Sequence, residues 1–365
     1  MAFQKLEYIK YTEEYSNECL AEQCTSFTEL DNALDNLKNK IRDVSYNDWK
    51  KVRWVVNKFE FPYNPSIINR AFYKFWEILH AFDIPVSGTN LYCAEAPGGF
   101  IQASKLYNEK IQSTTSNDTD FVSVPVKRKF WNYTISLDSK SYDKRIRQYT
   151  TVMNGKGDII DLTNISNIIS RSNSKFSMIT ADGGLDDFFI TFNKENSHRL
   201  LIYTEVLYAL KLQKTNGYFI LKFFDTITMS SIHVLYLLTQ VYSEVYVMKP
   251  DTSRPTNSEK YIVCKNFNPD TTQLKKITDI MEKCISNYKE GDLLYIFKQV
   301  PEKFINTIRA LNDDFIRNQI MYLQKALTIV SDENFTQLYV ERYKKLAKSK
   351  QDVYKEWCIR NNFTN

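Results

Sequence analysis

Between Ile67 and Asn266 the chain alternates short apolar runs with segments whose apolar residues recur at helical spacing. No other feature restricts the fold as much. The pattern predicts helices over Asn69–Phe82, Phe100–Asn108, Ser197–Lys214 and Met229–Tyr242. Between them it predicts strands at Asn90–Cys93, Tyr133–Leu137, Phe176–Thr180 and Tyr218–Lys222, and two closing strands at Val245–Met248 and Tyr261–Val263. A parallel pair of strands needs a long crossover, and the helices that supply it cover both faces of the sheet. The expectation is therefore an α/β fold with a mostly parallel sheet. Too few residues separate the two closing strands for a helical crossover, so the last strand is expected to run antiparallel.

The flanks read differently. Residues 1–65 are helical in patches and end in FEFPYNPS, where Pro62 and Pro65 break the periodicity. Beyond Asn266 apolar residues such as Ile277, Ile280 and Met281, then Ile305, Ile308 and Leu311, return at helical spacing. Three parts are thus expected: an accessory segment (1–65), the α/β domain (66–267) and a helical extension (268–365). The six cysteines lie far apart without C-x-x-C spacing, which fits free thiols in a reducing compartment and no structural metal. No signal peptide or membrane anchor is read, because the longest apolar stretch, Val234–Met248, is interrupted by Gln240, Ser243 and Glu244. An intracellular protein is expected, its compartment open. A net charge of +5 permits an anionic partner without requiring one.

In an open parallel sheet, ligands bind beyond the carboxyl ends of the strands, so residues at those ends carry the functional argument. The first such stretch is AEAPGGF, Ala94 to Phe100, between a strand and a helix. Its glycines let a ligand approach the backbone, and the helix start offers free N–H groups, although a P-G-G turn also serves as a plain connection. Asp138 follows the Tyr133–Leu137 strand, where nucleoside binders hold ribose hydroxyls. Asp158 and Ile159 sit in a Gly-bearing loop, where a carboxylate can accept from an adenine amino group or remain a solvated turn residue. ITADGG places Asp182 at a strand end, with two glycines leaving it unobstructed. Lys222 ends the apolar strand in YFILKFFD, and a lysine there is costly unless partnered or able to snorkel to the rim. Glu259 enters with the last strand and Lys74 with the helix before the nucleotide-type turn.

ADGG, the Lys222 strand, KPDTSRPTNSEKYIV (249–263), RAFYKFWEI (70–78) and APGGF together resemble the RrmJ/FtsJ family of AdoMet-dependent RNA ribose 2′-O-methyltransferases. The likeness covers roughly residues 67–266 and implies a Rossmann-like methyltransferase fold. It places the family's K-D-K-E tetrad on Lys74, Asp182, Lys222 and Glu259. Lys222 would be the base for the ribose hydroxyl, Asp182 would orient it, Glu259 would hold the lysine geometry, and Lys74 would position the hydroxyl or a neighbouring phosphate. AdoMet would be held by Ala94, Glu95, Ala96, Pro97, Gly98, Gly99, Phe100, Asp138, Asp158, Ile159 and Asp182, with no metal required. Many family members carry an acidic residue at the end of the first strand, where this chain has Tyr92 and Cys93, with Glu95 in the turn. FDT and KP-x-x-SRP-x-NSE-x-Y-x-V are most similar to the branch that methylates the first transcribed nucleotide of capped mRNA in eukaryotes and large cytoplasmic DNA viruses. Capped RNA is then the expected partner, and other capping or transcription proteins are also allowed. Two rival readings remain: the same chemistry on ribosomal or transfer RNA, and a non-catalytic RNA-binding subunit.

KRKFW (127–131) and WKKVRW (49–54) interleave cations with aromatic rings, as RNA-contacting surfaces do, and each equally fits a solvated face with one buried edge. His80, His198 and His233 stand in no nucleophile context and read as surface or packing residues.

Overall fold

The computed structural model describes residues 2–9, 15, 19–20, 28–61, 64–95, 97–112, 117–122, 146–148, 159–171, 175–184, 194–289 and 292–363. In chain order the elements are β1 (Ala2–Leu6), β2 (Cys19–Leu20), α1 (Glu29–Arg42), α2 (Tyr46–Val56), α3 (Ala71–Phe82), β3 (Gly88–Cys93) and α4 (Gly99–Tyr107). A π-helical turn (Asn108–Gln112) extends α4. Next come β4 (Asn117–Val122), β5 (Ile146–Gln148), α5 (Thr163–Arg171), β6 (Phe176–Ala181), α6 (Lys194–Leu212), β7 (Gln213–Phe223), α7 (Met229–Val241), β8 (Tyr242–Lys249) and β9 (Lys260–Phe267). The chain closes with α8 (Thr271–Asn287), β10 (Leu293–Leu294), α9 (Glu302–Val330) and α10 (Phe335–Arg360).

The main sheet has the order β1-β8-β9-β7-β6-β3-β4-β5. Strands β5, β4, β3, β6 and β7 are parallel neighbours, and β6 is buried continuously from Met178 to Ala181, as a strand covered on both faces is. The last strand of the domain, β9, runs antiparallel to β7 and to β8, as its short connection requires. The sheet is more mixed than the sequence suggests, because β1 adds a further antiparallel pair at the β8 edge, with Ala2 opposite Lys249 and Leu6 opposite Val245. The amino-terminal segment thus contributes a strand besides α1 and α2. Five residues carry too little period-2 alternation to announce a strand, and Phe3 packs from this edge on Phe82 and Tyr246, with ring centroids 5.0 and 5.9 Å away. The strand that follows α4 among the described residues is β4; the Tyr133–Leu137 run, Asp138, Asp158, Ala96 and KRKFW lie outside them.

Two apolar layers enclose the sheet. One joins it to α6, α7 and α8. The other joins it to α3 and α4 and includes Trp357 and Phe363, from α10 and the residues after it. Helix α9 packs on α1 and α2 through smaller clusters around Leu34, Ile316 and Leu323, and around Val52, Val56 and Ala326. The last helices are therefore built into the same core rather than appended to it. Cys93, Cys264, Cys284 and Cys358 are free thiols. Among the described residues, no helix is long and apolar enough to cross a membrane.

Candidate active site

Four elements deliver charged side chains to one end of the sheet. Asp182 follows β6, Lys222 lies one residue from the end of β7, Glu259 immediately precedes β9, and Lys74 lies in the first turn of α3. Lys74 Nζ lies 2.7 Å from Glu259 Oε1, and Lys222 Nζ lies 3.6 Å from Asp182 Oδ1 while donating to the Asp182 carbonyl at 3.3 Å. Each of the four side chains is between 10 and 14% exposed, enough for a substrate to reach from one side. The antiparallel register sets Tyr261 opposite Lys222, and the Tyr261 hydroxyl donates to Asp182 Oδ1 at 2.8 Å. Ser253 Oγ donates to Glu259 Oε1 at 2.8 Å. Gly184 keeps the amine accessible, since a Cβ there would stand 3.1 Å from Lys222 Nζ.

Burial and charge act against each other across this group. Burial alone would push the Lys222 ammonium down, but the neighbouring acids, Asp182 first and Glu259 next with Glu205 and Glu95 behind them, outweigh it and raise Lys222 above its ordinary value. The proximity of Lys74 therefore does not decide the charge of Lys222; the acids do. Burial would likewise raise the Glu259 carboxyl, yet Lys74 and Lys222 hold it well below the usual range. Burial raises the Tyr261 hydroxyl, and Asp182 adds to it, so Tyr261 stays a neutral donor.

Two acids beyond the four expected residues belong to this neighbourhood. Glu205, on α6, is pushed up to about 8, chiefly by burial, with Lys222 opposing and Asp182 adding to the rise. Its Oε1 accepts the Gly183 N–H at 3.1 Å and so fixes the backbone beside Asp182. Because its folded pKa exceeds the unfolded one, its stabilising contribution is full at acid pH and is lost as pH rises through about 8. Glu205→Gln, which keeps the acceptor oxygen, should match the wild type near about pH 5 and exceed it increasingly toward about pH 8, by on the order of a few kcal/mol. Denaturant melts at several pH values measure this, and a constant difference across the range would contradict it.

The turn after β3 suits a nucleoside cofactor carrying a primary amine. Ala94 (φ 54°) and Gly98 (φ 107°) both lie in the left-handed region, a costly conformation for alanine that turns the chain sharply at the sheet's carboxyl edge. A Cβ on Gly99 would meet Asn69 Oδ1 at 2.1 Å and the Phe72 backbone nitrogen at 3.0 Å, so only glycine lets α4 start against α3. Glu95 Oε1 caps that start by accepting the Phe100 N–H at 2.6 Å. Glu95 Oε2 is buried with no hydrogen-bond partner among the described residues, and burial followed by repulsion from Asp182 pushes this carboxyl far above its ordinary value. An acceptor buried without a donor is unusual and fits a ligand ammonium. Ile159, buried at the start of the segment leading to α5, can contribute an apolar wall.

WKKVRW resolves into helix packing along most of its length. Val52 is fully buried, Trp49 packs with α9 residues, Lys51 pairs with Asp48 at 3.0 Å, and Lys350 Nζ lies 4.9 Å from the Trp54 ring centroid. His233 is buried, accepts the Ile296 and Phe297 N–H groups at 3.3 Å and is pushed down to about 3 by burial, a packing residue as its context indicates.

Sequence reasoning missed the supports of the site. Glu77, one turn after Lys74 on α3, accepts the Asp251 and Thr252 N–H groups at 2.7 and 3.0 Å and the Trp357 Nε1–H at 2.9 Å. It thereby ties the loop leading to Glu259, and α10 as well, to the helix that carries Lys74. Lys249 donates to the Glu259 carbonyl at 2.6 Å and to the Asn257 carbonyl at 2.9 Å, closing that loop at its base. Burial pushes Lys249 down to about 7, with Glu259 opposing. The available signal was a charged residue at a position of the α3 pattern that is otherwise apolar, Glu77 in YKFWEIL.

Comparison with known proteins identifies this arrangement. The family description "FtsJ-like methyltransferase" matches residues 67–267. The chain is 25% identical over 304 residues to "Cap-specific mRNA (nucleoside-2'-O-)-methyltransferase 2" of Drosophila melanogaster, an alignment covering 74% of this chain and 41% of the relative. It is 41% identical over 120 residues to "Cap-specific mRNA (nucleoside-2'-O-)-methyltransferase 1" of Trypanosoma cruzi (strain CL Brener), covering 32% of each chain. It is 26% identical over 235 residues to "Probable methyltransferase EP424R" of African swine fever virus (strain Badajoz 1971 Vero-adapted), covering 60% of this chain and 54% of that one. The chain thus spans about a third to a half of the length of these relatives. With the family match extending over more than half of its residues, this chain belongs to the FtsJ-like methyltransferases.

Proposed function

We propose that the protein is a cap-specific mRNA 2′-O-methyltransferase that uses AdoMet to methylate the ribose of the first transcribed nucleotide. The observation that carries this reading is the meeting of Lys74, Asp182, Lys222 and Glu259 as two ion pairs at one rim of the sheet. AdoMet supplies a methyl group on a cationic sulfur, leaving as the neutral thioether when the methyl is transferred. Glu95, Gly98, Gly99 and Ile159 would hold it, with Asp138 on its ribose and Asp158 on its adenine, and Asp182 flanking the sulfonium side. Lys74, fixed by Glu259, positions the substrate hydroxyl or the phosphate beside it. Lys222, fixed by Asp182, first sheds its own ammonium proton to solvent and then, as the neutral amine, accepts the hydroxyl proton as the ribose oxygen forms its bond to carbon. The names of the fly and trypanosome relatives favour capped mRNA over ribosomal or transfer RNA.

Short RNAs bearing a methylated cap, an unmethylated cap or no cap, each offered with radiolabelled AdoMet, test the substrate. Label should enter the first ribose of the methylated-cap RNA and not the uncapped one. Equal transfer to uncapped structured RNA would move the assignment to ribosomal or transfer RNA, and RNA binding without label in any arm would make the chain a non-catalytic subunit.

A further inference from the structure

Beside the tetrad lies a second charged group to which neither the fold nor the proposed chemistry assigns a role. Glu60, between α2 and α3, is gripped by Arg254, whose Nε and Nη2 donate to Oε2 and Oε1 at 3.0 and 2.8 Å. Arg70 Nη1 lies 3.1 Å from the same carboxylate, and its Nη2 donates to the Thr252 carbonyl at 2.5 Å. Asn57 Nδ2 adds a fourth donor at 2.7 Å. Glu60 is thus saturated. Arg53, on α2, stands in the same field without joining it, since among the described residues its guanidinium has no hydrogen bond or ion pair. Among the described residues, Glu60 is the carboxylate these three guanidinium groups share, and Glu259, itself paired with Lys74, acts on Arg70 and Arg254 from farther off, so the group is cationic on balance. Burial, then repulsion from Arg254, pushes Arg53 down to about 10, the mark of a cation that an incoming anion would relieve. The group is open to solvent, with the Arg70 and Arg254 side chains 28 and 27% exposed.

Its position ties it to the reaction. Arg70, the N-cap of α3 with helical dihedrals, precedes Lys74 by four residues, a spacing that sets Cβ atoms about 5–6 Å apart on one helix face. Arg254 lies in the loop that ends in Glu259, and both Arg70 and Arg254 feel the Glu259 charge. A cavity of about 500 Å³ adjoins the cluster, lined by Asn57, Phe59, Ser253, Pro255, Phe315 and Tyr322 among others, so a chain carrying the anion has room beside it. We propose that Arg53, Arg70 and Arg254, pre-ordered by Glu60, form a phosphate-binding site that takes an RNA phosphate next to the ribose held at Lys74 and Lys222. This inference rests on the reading of the site as an RNA ribose methyltransferase. Planar guanidinium groups suit a tetrahedral oxyanion better than a nucleobase edge, and the Glu60 bridge removes the mutual repulsion that would otherwise splay them.

The phosphate can come from the 5′ triphosphate or from a backbone phosphodiester. Arg53→Gln separates the two, because among the described residues the Arg53 guanidinium makes no hydrogen bond or ion pair, and its loss removes repulsion from Arg254 and Arg70 along with attraction to Glu60. Binding of 5′-hydroxyl and 5′-triphosphate RNA oligonucleotides to the full chain should be measured by fluorescence anisotropy over a salt series, without turnover. Arg53→Gln should weaken binding about tenfold, flatten the slope of log K against log salt by about 0.7, and leave thermal unfolding unchanged or raised. Arg53→Lys should recover part of both. Loss for both RNAs assigns a backbone phosphodiester; loss confined to the triphosphate RNA assigns the 5′ end. Unchanged affinity and slope for both RNAs, or no binding by the wild type, would overturn the site. A normal Arg53 effect with no methyl transfer to any RNA would instead leave the site standing and remove the enzymatic reading.

Discussion

Lys222→Ala should lower methyl transfer by about 10²–10⁴-fold while AdoMet affinity stays within about threefold of the wild type. The split follows from where the amine sits. Its ion pair and hydrogen bond go to the Asp182 carboxylate and carbonyl, and among the described residues none goes to the turn at Glu95 to Phe100, whose Glu95 acts on it only through charge. The surrounding acids hold Lys222 above its ordinary value, so the group is an ammonium at neutral pH and a donor rather than a base. A sulfonium held in the same crevice, as the proposed function requires, would add a positive charge that disfavours the ammonium over the neutral amine and so would lower the Lys222 pKa. The pH profiles should therefore differ. kcat/KM, which reports the free enzyme, should rise with pH over a higher range than kcat, which reports the loaded enzyme. Lys222→Arg keeps the charge but cannot release a proton, so it should fall with the alanine variant, whereas a lysine acting only as a fixed cation would tolerate arginine far better. Single-turnover rates and calorimetric AdoMet titration decide the matter. Substantial turnover in Lys222→Ala would exclude the residue from proton removal.

The sequence carried the strand ends well because burial on both faces writes them as continuous apolar runs, and a lysine or aspartate at the tip of such a run is conspicuous. Lys222 after YFIL and Asp182 after MITA are legible for that reason. Glu205 is not, since α6 is buried almost all round and a carboxylate within YTEVLYAL has no periodic context that marks it as facing the site. Glu77 escapes in the same way: its meaning lies in the N–H groups of residues 251, 252 and 357, which only the folded chain brings to it. The amino-terminal strand escapes for a different reason, since an edge strand is specified by its partner's free edge more than by its own pattern. The same limit applies to the carboxy-terminal helices, whose spacing is that of any amphipathic helix and gives no sign of which surface they cover.

That surface is α3, and Trp76→Ala is expected to cost about 3–5 kcal/mol. Trp76 is fully buried two residues after Lys74, stacked on Phe72 and set edge-on to Tyr107 and Phe363, with centroids 5.8, 5.3 and 4.8 Å away. Its Nε1 donates to the Asn361 carbonyl at 2.8 Å, so the ring joins the carboxy-terminal end of α10 to the helix that presents Lys74. Truncation leaves a cavity between two layers that cannot collapse without moving α3, and it strands the Asn361 acceptor. Trp76→Phe keeps most of the apolar volume and should cost less than half as much. Urea unfolding of both variants, followed by circular dichroism and by tryptophan fluorescence, should give one shared transition that moves to lower denaturant. If the carboxy-terminal helices were an independent extension, Trp76→Ala would instead release them in an early, separate step while the sheet melted at the wild-type midpoint. Such a result would also free Lys74 from its dependence on α10, because the Glu77 bond to Trp357 crosses the same seam.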